Sequence, residues 1–188
     1  MLRTAPLLLA LTLSAIPCAQ DEGSETLAPS NPKPAAAERY PFLYDVVAMH
    51  EAGPEAWQTL PYERLLLRRQ GCFGPCPVYE VELRRDGTAR YTGGAHAPRQ
   101  GEFEGKVPLY TYGLLCAAAE DLDLEGMQGR YSAEWTDDEN IAIEWERDAR
   151  AGYVLDYARQ APPAFHAYRA LFDELAAQIE WTPVEEKR

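Results

Sequence analysis

Basic residues, histidine and serine are scarce in this sequence of 188 residues. It has 18 Lys and Arg against 30 Asp and Glu, which gives a formal net charge of −12 with the three histidines neutral. A nucleic-acid surface needs clustered cations against phosphate, and docking on anionic lipid needs the same. We therefore expect no nucleic acid among its partners and no electrostatic binding to a membrane.

Long apolar runs are also missing after the first residues. No later stretch approaches the ~18 consecutive apolar residues that a membrane-spanning helix needs. At the start, one cation at Arg3 is followed by an apolar run from Ala5 to Pro17. This pattern is typical of a secretory signal and is too short to span a bilayer. We predict export, with residues 1–19 as the signal peptide.

Two fates of Cys18 stay open. Cleavage after Ala19 would release a periplasmic or secreted protein, although Pro17 stands where a small residue is expected. Alternatively, Cys18 carries the lipid of a bacterial lipoprotein, for which Pro17 is again a poor preceding residue. In that case the protein would be attached to a membrane only through the lipid on Cys18. Without residues 1–19, which include Arg3 as their only charge, the net charge becomes −12 − 1 = −13.

The common catalytic signatures are absent as well. After the proline-rich linker the only serine is Ser132, with no nucleophile-elbow motif around it. No glycine-rich phosphate-binding loop is present. The acidic stretch that begins at Asp121 departs from a calcium loop because its twelfth position is Ser132, not Glu. We expect a non-enzymatic binding protein without a cofactor, whose partner is an unidentified protein or small molecule. A hydrolase that uses carboxylates stays open as an alternative, and it would need a pocket containing an acid of raised pKa.

Composition divides the rest of the chain into segments. Residues 20–38 are rich in proline, serine and alanine and are predicted to form a flexible linker. Residues 39–61 mix aromatic residues with prolines, which indicates an N-terminal extension with a short helix near Leu43–His50. Residues 62–181 hold the folded domain, and residues 182–188 form a C-terminal tail.

Hydrophobic periodicity predicts two groups of strands, each followed by a helix, in the order ββ(β)-α-ββ-α. The first strands are predicted at Leu65–Arg69, Tyr79–Arg84, Thr88–Thr92 and Glu102–Val107, with Asp86-Gly87 as a hairpin turn. A helix over Leu109–Leu122 comes next, and then strands at Ile141–Glu146 and Tyr153–Tyr157 around a turn near Ala149–Gly152. Pro162-Pro163 opens a last helix whose apolar face is Phe165, Tyr168, Phe172, Leu175 and Ile179. This order is typical of an α+β single domain with an antiparallel sheet.

The strongest local motif is the pair Cys72 and Cys76, separated by Phe-Gly-Pro. A bend at Gly74-Pro75 can bring both cysteines within disulfide range, and such a bridge would brace the start of the second strand. Three cysteines remain after export, so we predict that Cys116, in an apolar run, is a free core residue.

Two other functions of the cysteine pair stay open. Gly-Pro-Cys is similar to a thioredoxin-type active site, but that motif has two intervening residues and opens a helix. Cys-x-x-x-Cys-Pro is also the spacing of some copper chaperones, and soft thiolates suit Cu(I). His50, His96 or His166 would then supply a third ligand; His96, in a glycine-rich loop, is the most exposed candidate.

These residues carry a resemblance to a known family, the exported bacterial domain of unknown function 6438. The similar segments are Leu65–Arg69, Gly71–Tyr79, Asp86-Gly87-Thr88, Tyr91-Thr92-Gly93, Thr136-Asp137, Asp156-Tyr157-Ala158 and Ala161-Pro162. The likeness covers residues 62–180 and implies export and a compact α+β module, but it supplies no activity that can be carried over to this chain. This chain departs from the pattern in the loop Ala95–Gln100 and at Cys116, and the extension Tyr40–Pro61 lies outside it.

Overall fold

The computed structural model describes Tyr40, Leu43 and residues 51–185. All of them belong to one compact unit, Pro34–Arg188. The predicted signal peptide, the linker and most of the helix predicted near Leu43–His50 lie outside the described residues, as do Cys18 and His50.

Three helices and eight strands follow one another in residues 51–185. The helices are α1 (Glu55–Gln58), α2 (Leu109–Asp121) and α3 (Pro163–Ala177). The strands are β1 (Arg64–Gln70), β2 (Tyr79–Arg84), β3 (Thr88–Gly93), β4 (Gly101–Lys106), β5 (Arg130–Tyr131), β6 (Asn140–Arg147), β7 (Arg150–Tyr157) and β8 (Trp181–Pro183).

All eight strands form one sheet in the order β5-β7-β6-β1-β2-β3-β4-β8. Its pairs are antiparallel except β5 with β7, which is parallel, so the sheet is mixed. The predicted α+β single-domain fold is confirmed. The structure adds that the two strand groups join, because β1 pairs with β2 on one side and with β6 on the other.

One face of the sheet packs against the helices and forms the core. Period-2 alternation places Leu65 and Leu67 of β1 on this face, fully buried, beside Ile143 of β6. The facing surface of α3 contributes Phe165 and Phe172, both fully buried. The predicted apolar face of the last helix is confirmed for Tyr168 and Leu175, which are buried as well; Ile179 is also buried but lies after the end of α3.

The opposite face of the sheet is covered by ion pairs. Arg64 and Arg68 of β1 lie between glutamates of the two neighbouring strands: Arg64 Nε is 2.7 Å from Glu146 of β6, and Arg68 Nε is 2.6 Å from Glu80 of β2. Leu66, between the two arginines, is only 5% exposed. Arginine stems cover apolar surface while their guanidinium groups stay hydrated, so the charged face shields Leu66 from water.

The hairpin turns show one confirmed prediction and one correction. Gly87 has φ +80° and follows Asp86, whose carboxylate accepts the Thr88 amide over 2.9 Å, so the predicted Asp-Gly turn is present. The turn predicted near Ala149–Gly152 lies earlier, at Asp148-Ala149, and both residues have positive φ. A two-residue hairpin loop with a type I′ turn has positive φ at both central residues, and here the non-glycine residues Asp148 and Ala149 adopt that conformation.

Three short elements, α1, β5 and β8, were not predicted from the periodicity. The helix α1 has four residues and the strands β5 and β8 have two and three, which is too few to show a readable period. The helix predicted over Leu109–Leu122 is confirmed as α2, one residue shorter. Within the described part of the chain, no helix is long and apolar enough to cross a membrane.

Buried hydroxyl and thiol groups lie where α2 meets the sheet. Tyr112 is fully buried and its hydroxyl donates to the backbone oxygen of Tyr62 over 3.0 Å. Cys116, one turn later, is a buried free cysteine as predicted. Burial raises the pKa of Tyr112 and the pKa of Cys116 well above their ordinary values, because the interior disfavours the anions.

We therefore expect the protein to lose stability in alkali. Above the ordinary tyrosine pKa of 10.0 the unfolded chain releases the Tyr112 proton while the native state retains it. Stability from this group is present below pH 10 and falls as pH rises, by about 1.4 kcal/mol per pH unit at the steepest. Urea unfolding between about pH 8 and about pH 11 will show a smaller decline for Tyr112→Phe than for the wild type. Tyr110→Phe, on the same helix but 40% exposed, should leave the decline unchanged; equal slopes for all three proteins would contradict the assignment.

Candidate functional site

The two motif cysteines form a disulfide between the end of β1 and the start of β2. Cys72 and Cys76 are bonded, with their Cα atoms 5.5 Å apart. Residues Gly71–Val78, which we name the disulfide loop, connect these neighbouring antiparallel strands. Both cysteines are half-buried, and the amide of Gly74 donates to the sulfur of Cys72 over 3.2 Å.

The far end of the disulfide loop extends the pairing of β2 with β3. The amide of Val78 donates to the carbonyl of Ala95 over 2.9 Å, and Gly94 donates to the carbonyl of Val78 over 2.8 Å. The neighbouring residue His96 is exposed and has φ +58°. The disulfide loop is thus held against the glycine-rich loop that contains His96.

The structure does not assemble the copper site considered from the sequence. No group of three or more His, Cys, Asp or Glu side chains is placed to share a metal ion in the part of the chain that the structure describes. Cys72 and Cys76 bind each other, so neither sulfur is a free thiolate. His166 lies on α3 with its Nδ1 3.4 Å from Asp156, and His50 is outside the described residues.

The base of the disulfide loop is tied to α3 by one carboxylate. Arg69 and Tyr79 face each other across β1 and β2, and the Arg69 guanidinium carbon is 5.7 Å from the centre of the Tyr79 ring. Arg69 forms an ion pair with Asp173 of α3, and the Tyr79 hydroxyl donates to the same carboxylate over 2.6 Å. Asp173 therefore fixes the residues at both ends of the loop.

Glu139 brings a second loop into the same cluster. It precedes β6, forms an ion pair with Arg69, and its other oxygen is 3.4 Å from Nη1 of Arg169. The loop that Glu139 terminates, Ser132–Asp138, is named here the acidic loop. Since Glu139 and Asp173 share Arg69, the bases of both loops are anchored to the same side chain.

Buried Asp156 continues this network under α3. One of its oxygens accepts the amide of Ala161 over 2.9 Å, which fixes the chain just before the helix begins. The other oxygen is 3.4 Å from Nδ1 of His166 and 3.9 Å from Nη1 of Arg169. A carboxylate without solvent contact needs such neighbours to offset its lost hydration.

The protonation states of the cluster follow from its packing. Burial raises the pKa of Tyr79 above its ordinary value, and the hydrogen bond to Asp173 and the charge of that carboxylate raise it further. Burial acts to lower the pKa of Arg69, but the hydrogen bond and the charge of Asp173 outweigh it, and the pKa is raised. Tyr79 is thus a neutral hydrogen-bond donor and Arg69 a cation, so the cluster combines one hydrogen bond with the ion pairs of Arg69.

Two large aromatic side chains are exposed on the loops above this cluster. Phe73 lies inside the disulfide loop and is 92% exposed. Trp135 lies in the acidic loop, is 56% exposed, and its indole nitrogen donates to Asp138 over 3.2 Å. Neither was identified as a site residue from the sequence, although a phenylalanine enclosed by two cysteines and a tryptophan among acidic residues are both visible there.

A broad concave surface lies at the other end of the sheet. It has a volume of about 1080 Å³ and is lined by side chains of both charges, among them Arg90, Lys106, Glu104 and Glu180. It includes Asp86 of the β2–β3 turn, so it is separate from the disulfide loop. The cysteine motif therefore lies in the disulfide loop and does not line this concave surface.

The role of Asp173 as anchor gives a direct test. Asp173→Asn keeps the shape but removes the charge beside Arg69, and hydrogen bonds to charged groups contribute about 1.5–3 kcal/mol. We expect the free energy of unfolding in urea at pH 7 to fall by that amount. Glu174→Gln, the next residue on α3 and exposed, is the matched control and should change stability by less than about 0.5 kcal/mol. Equal effects of the two substitutions would contradict the anchoring role.

Comparison with known proteins agrees with the family resemblance. The family model described as "Domain of unknown function (DUF6438)" matches residues 63–176, which include the disulfide loop, the acidic loop and most of α3. No curated protein matches the chain. Because the match covers more than half of the chain, this protein belongs to the family of domain of unknown function 6438.

Proposed function

We propose that this protein is an exported, non-enzymatic binding module whose binding surface is the disulfide loop. The observation that carries the proposal is the 92% exposure of Phe73 between two bonded cysteines. An apolar ring of this size is costly to leave in water, and most large apolar side chains of the described domain are buried. A projecting aromatic on a braced loop is typical of an anchor residue in a protein interface.

The surroundings of the loop support a structural role for the disulfide. The bridge closes a short loop that is followed by a strand, whereas thioredoxin-type cysteines open a helix. Beneath the loop, Arg69 forms ion pairs with both Asp173 and Glu139. These contacts position the loop and leave Phe73 as the group available to a partner.

A thiol-redox or copper function of Cys72 and Cys76 is the second candidate. One observation favours it: the amide of Gly74 donates to the sulfur of Cys72. Hydrogen bonding to a thiolate stabilises the anion, which is the reactive and metal-binding form. After reduction, Cys72 would then be the nucleophilic sulfur of the pair.

Thiol alkylation and intact mass distinguish the two candidates. In a Cys18→Ala background without reductant, we expect no adduct on the native protein, because Cys116 is buried, and one adduct in denaturant. Cys72→Ser/Cys76→Ser should keep the fold and lower the free energy of unfolding by about 2 kcal/mol, the chain-entropy value for so short a loop. Two adducts on the native protein, or bound copper that requires both cysteines, would instead favour the redox or metal function.

Export is tested by fractionation of the full chain with a C-terminal tag in a bacterial host. We expect the protein in the periplasm with the mass of residues 20–188, because the Arg3 and Ala5–Pro17 pattern directs secretion. Deletion of residues 2–19 should leave it in the cytoplasm. A membrane-bound protein that Cys18→Ala releases would identify the lipid anchor; an uncleaved cytoplasmic product would contradict export.

A further inference from the structure

Phe73 and Trp135 project from the same end of the sheet. The disulfide loop begins after Gln70, and the acidic loop is separated from Asn140 only by Glu139. Gln70 and Asn140 face each other across β1 and β6. The Asn140 side chain also donates to the Gln70 side chain over 2.7 Å. Two strongly exposed aromatic side chains, Phe73 at 92% and Trp135 at 56%, therefore stand on neighbouring loops.

The two loops differ in charge. The disulfide loop contains no Asp, Glu, Lys or Arg, in a chain that is 26% charged. The acidic loop carries Glu134, Asp137 and Asp138, and none of these three has an ion-pair partner among the described residues. On the outer face of the sheet, in contrast, glutamates are paired, because Arg64 and Arg68 contact glutamates of both neighbouring strands.

Trp135 lies in the acidic loop between Glu134 and the pair Asp137 and Asp138. Its indole N–H donates to Asp138, so the ring is oriented by the same loop that carries the carboxylates. Tryptophan is the best of the aromatic side chains for binding a cation over its face. A Lys or Arg side chain would therefore meet both a π surface and unpaired carboxylates at this position.

We propose, on the basis of the binding function above, that the disulfide loop and the acidic loop together dock a protein segment that presents both basic and apolar side chains. Phe73 enters an apolar pocket of the partner, and Trp135 with its neighbouring carboxylates receives Lys or Arg. The same carboxylates and the net charge of −12 repel an anionic membrane, which would otherwise accept an exposed phenylalanine. Charge complementarity thus favours a basic protein partner.

Rigidity of the loop makes Phe73 an efficient anchor. The disulfide and the Asp173 contacts at the loop base hold the backbone in place before any partner arrives. Binding then costs less conformational entropy than it would for a free loop. We expect truncation of Phe73 to affect affinity strongly and overall stability little, since the ring makes few contacts within its own domain.

The test uses the full chain and defined probes in isothermal titration calorimetry. The probes are a synthetic peptide alternating leucine with arginine, a matched peptide alternating leucine with glutamate, and phosphatidylglycerol vesicles. We expect only the basic peptide to bind, with affinity falling between about 50 and about 500 mM NaCl as exposed charges are screened. Phe73→Ala and Trp135→Ala should each weaken binding about tenfold, the effect of an interface anchor.

Matched variants separate this surface from general attraction to an acidic protein. Tyr153→Ala removes an aromatic that is also 56% exposed but lies on β7, and it should leave affinity unchanged. Glu134→Gln/Asp137→Asn should reduce the salt dependence, whereas Glu174→Gln on α3 should not. Circular dichroism and urea unfolding of each variant confirm that the fold is retained.

Several results would overturn the proposal. They are no binding of the basic peptide, equal binding of the acidic peptide, or equal effects of Tyr153→Ala and Phe73→Ala. Binding to the vesicles that depends on Phe73 would contradict a basic protein partner and indicate a membrane as the partner. The proposed function as a binding module would still hold. The proposed function itself fails separately, if the alkylation experiment finds a reactive or copper-binding cysteine pair.

Discussion

A single guanidinium on the core-facing side of the central strand organises one end of this protein. Arg69 shares its face of β1 with the fully buried Leu65 and Leu67, so its charge has little access to water. A cation in such a position requires carboxylates within reach, because an unpaired buried charge costs several kcal/mol. Glu139 and Asp173 meet this requirement from two different segments of the chain. Satisfying one side chain thus fixes the relative positions of β1, α3 and the acidic loop.

The disulfide and this ion-pair cluster constrain the same loop in complementary ways. The bridge between Cys72 and Cys76 closes the loop on itself, and the contacts of Tyr79 and Arg69 hold its base against α3. A loop restrained at both levels does not need to bury its own aromatic residue to be ordered. This is a physical reason why Phe73 can remain in solvent, whereas Phe103, Phe165 and Phe172 lie in or against the core.

Periodicity and turn chemistry predicted most of the elements, because each depends on residues close in sequence. Pairing of β1 with β6 was beyond reach, since it joins segments about seventy residues apart and either group alone offers a plausible sheet. The side of β1 on which Arg69 lies could be predicted, because Arg69 follows Leu65 and Leu67 at the two-residue spacing of a strand. Its partner Asp173 was not, because it lies 104 positions later in the chain. Exposure of Phe73 likewise depends on three-dimensional surroundings, although the disulfide around it was predicted from spacing and turn residues.

The central place of β1 also shapes how the chain reaches its native state. Strands β1 to β4 are consecutive neighbours in the sheet and can pair with one another without the later part of the chain. Until β6 follows, however, β1 presents an open row of backbone donors and acceptors along Arg64–Gln70, with leucines at its centre. Unpaired strand edges of this kind recruit other chains. Arg64 and Arg68 of β1 oppose that self-association, since the pairing of identical edges would bring like charges together. The same side chains that form the outer ion pairs of the finished sheet thus protect its unfinished edge.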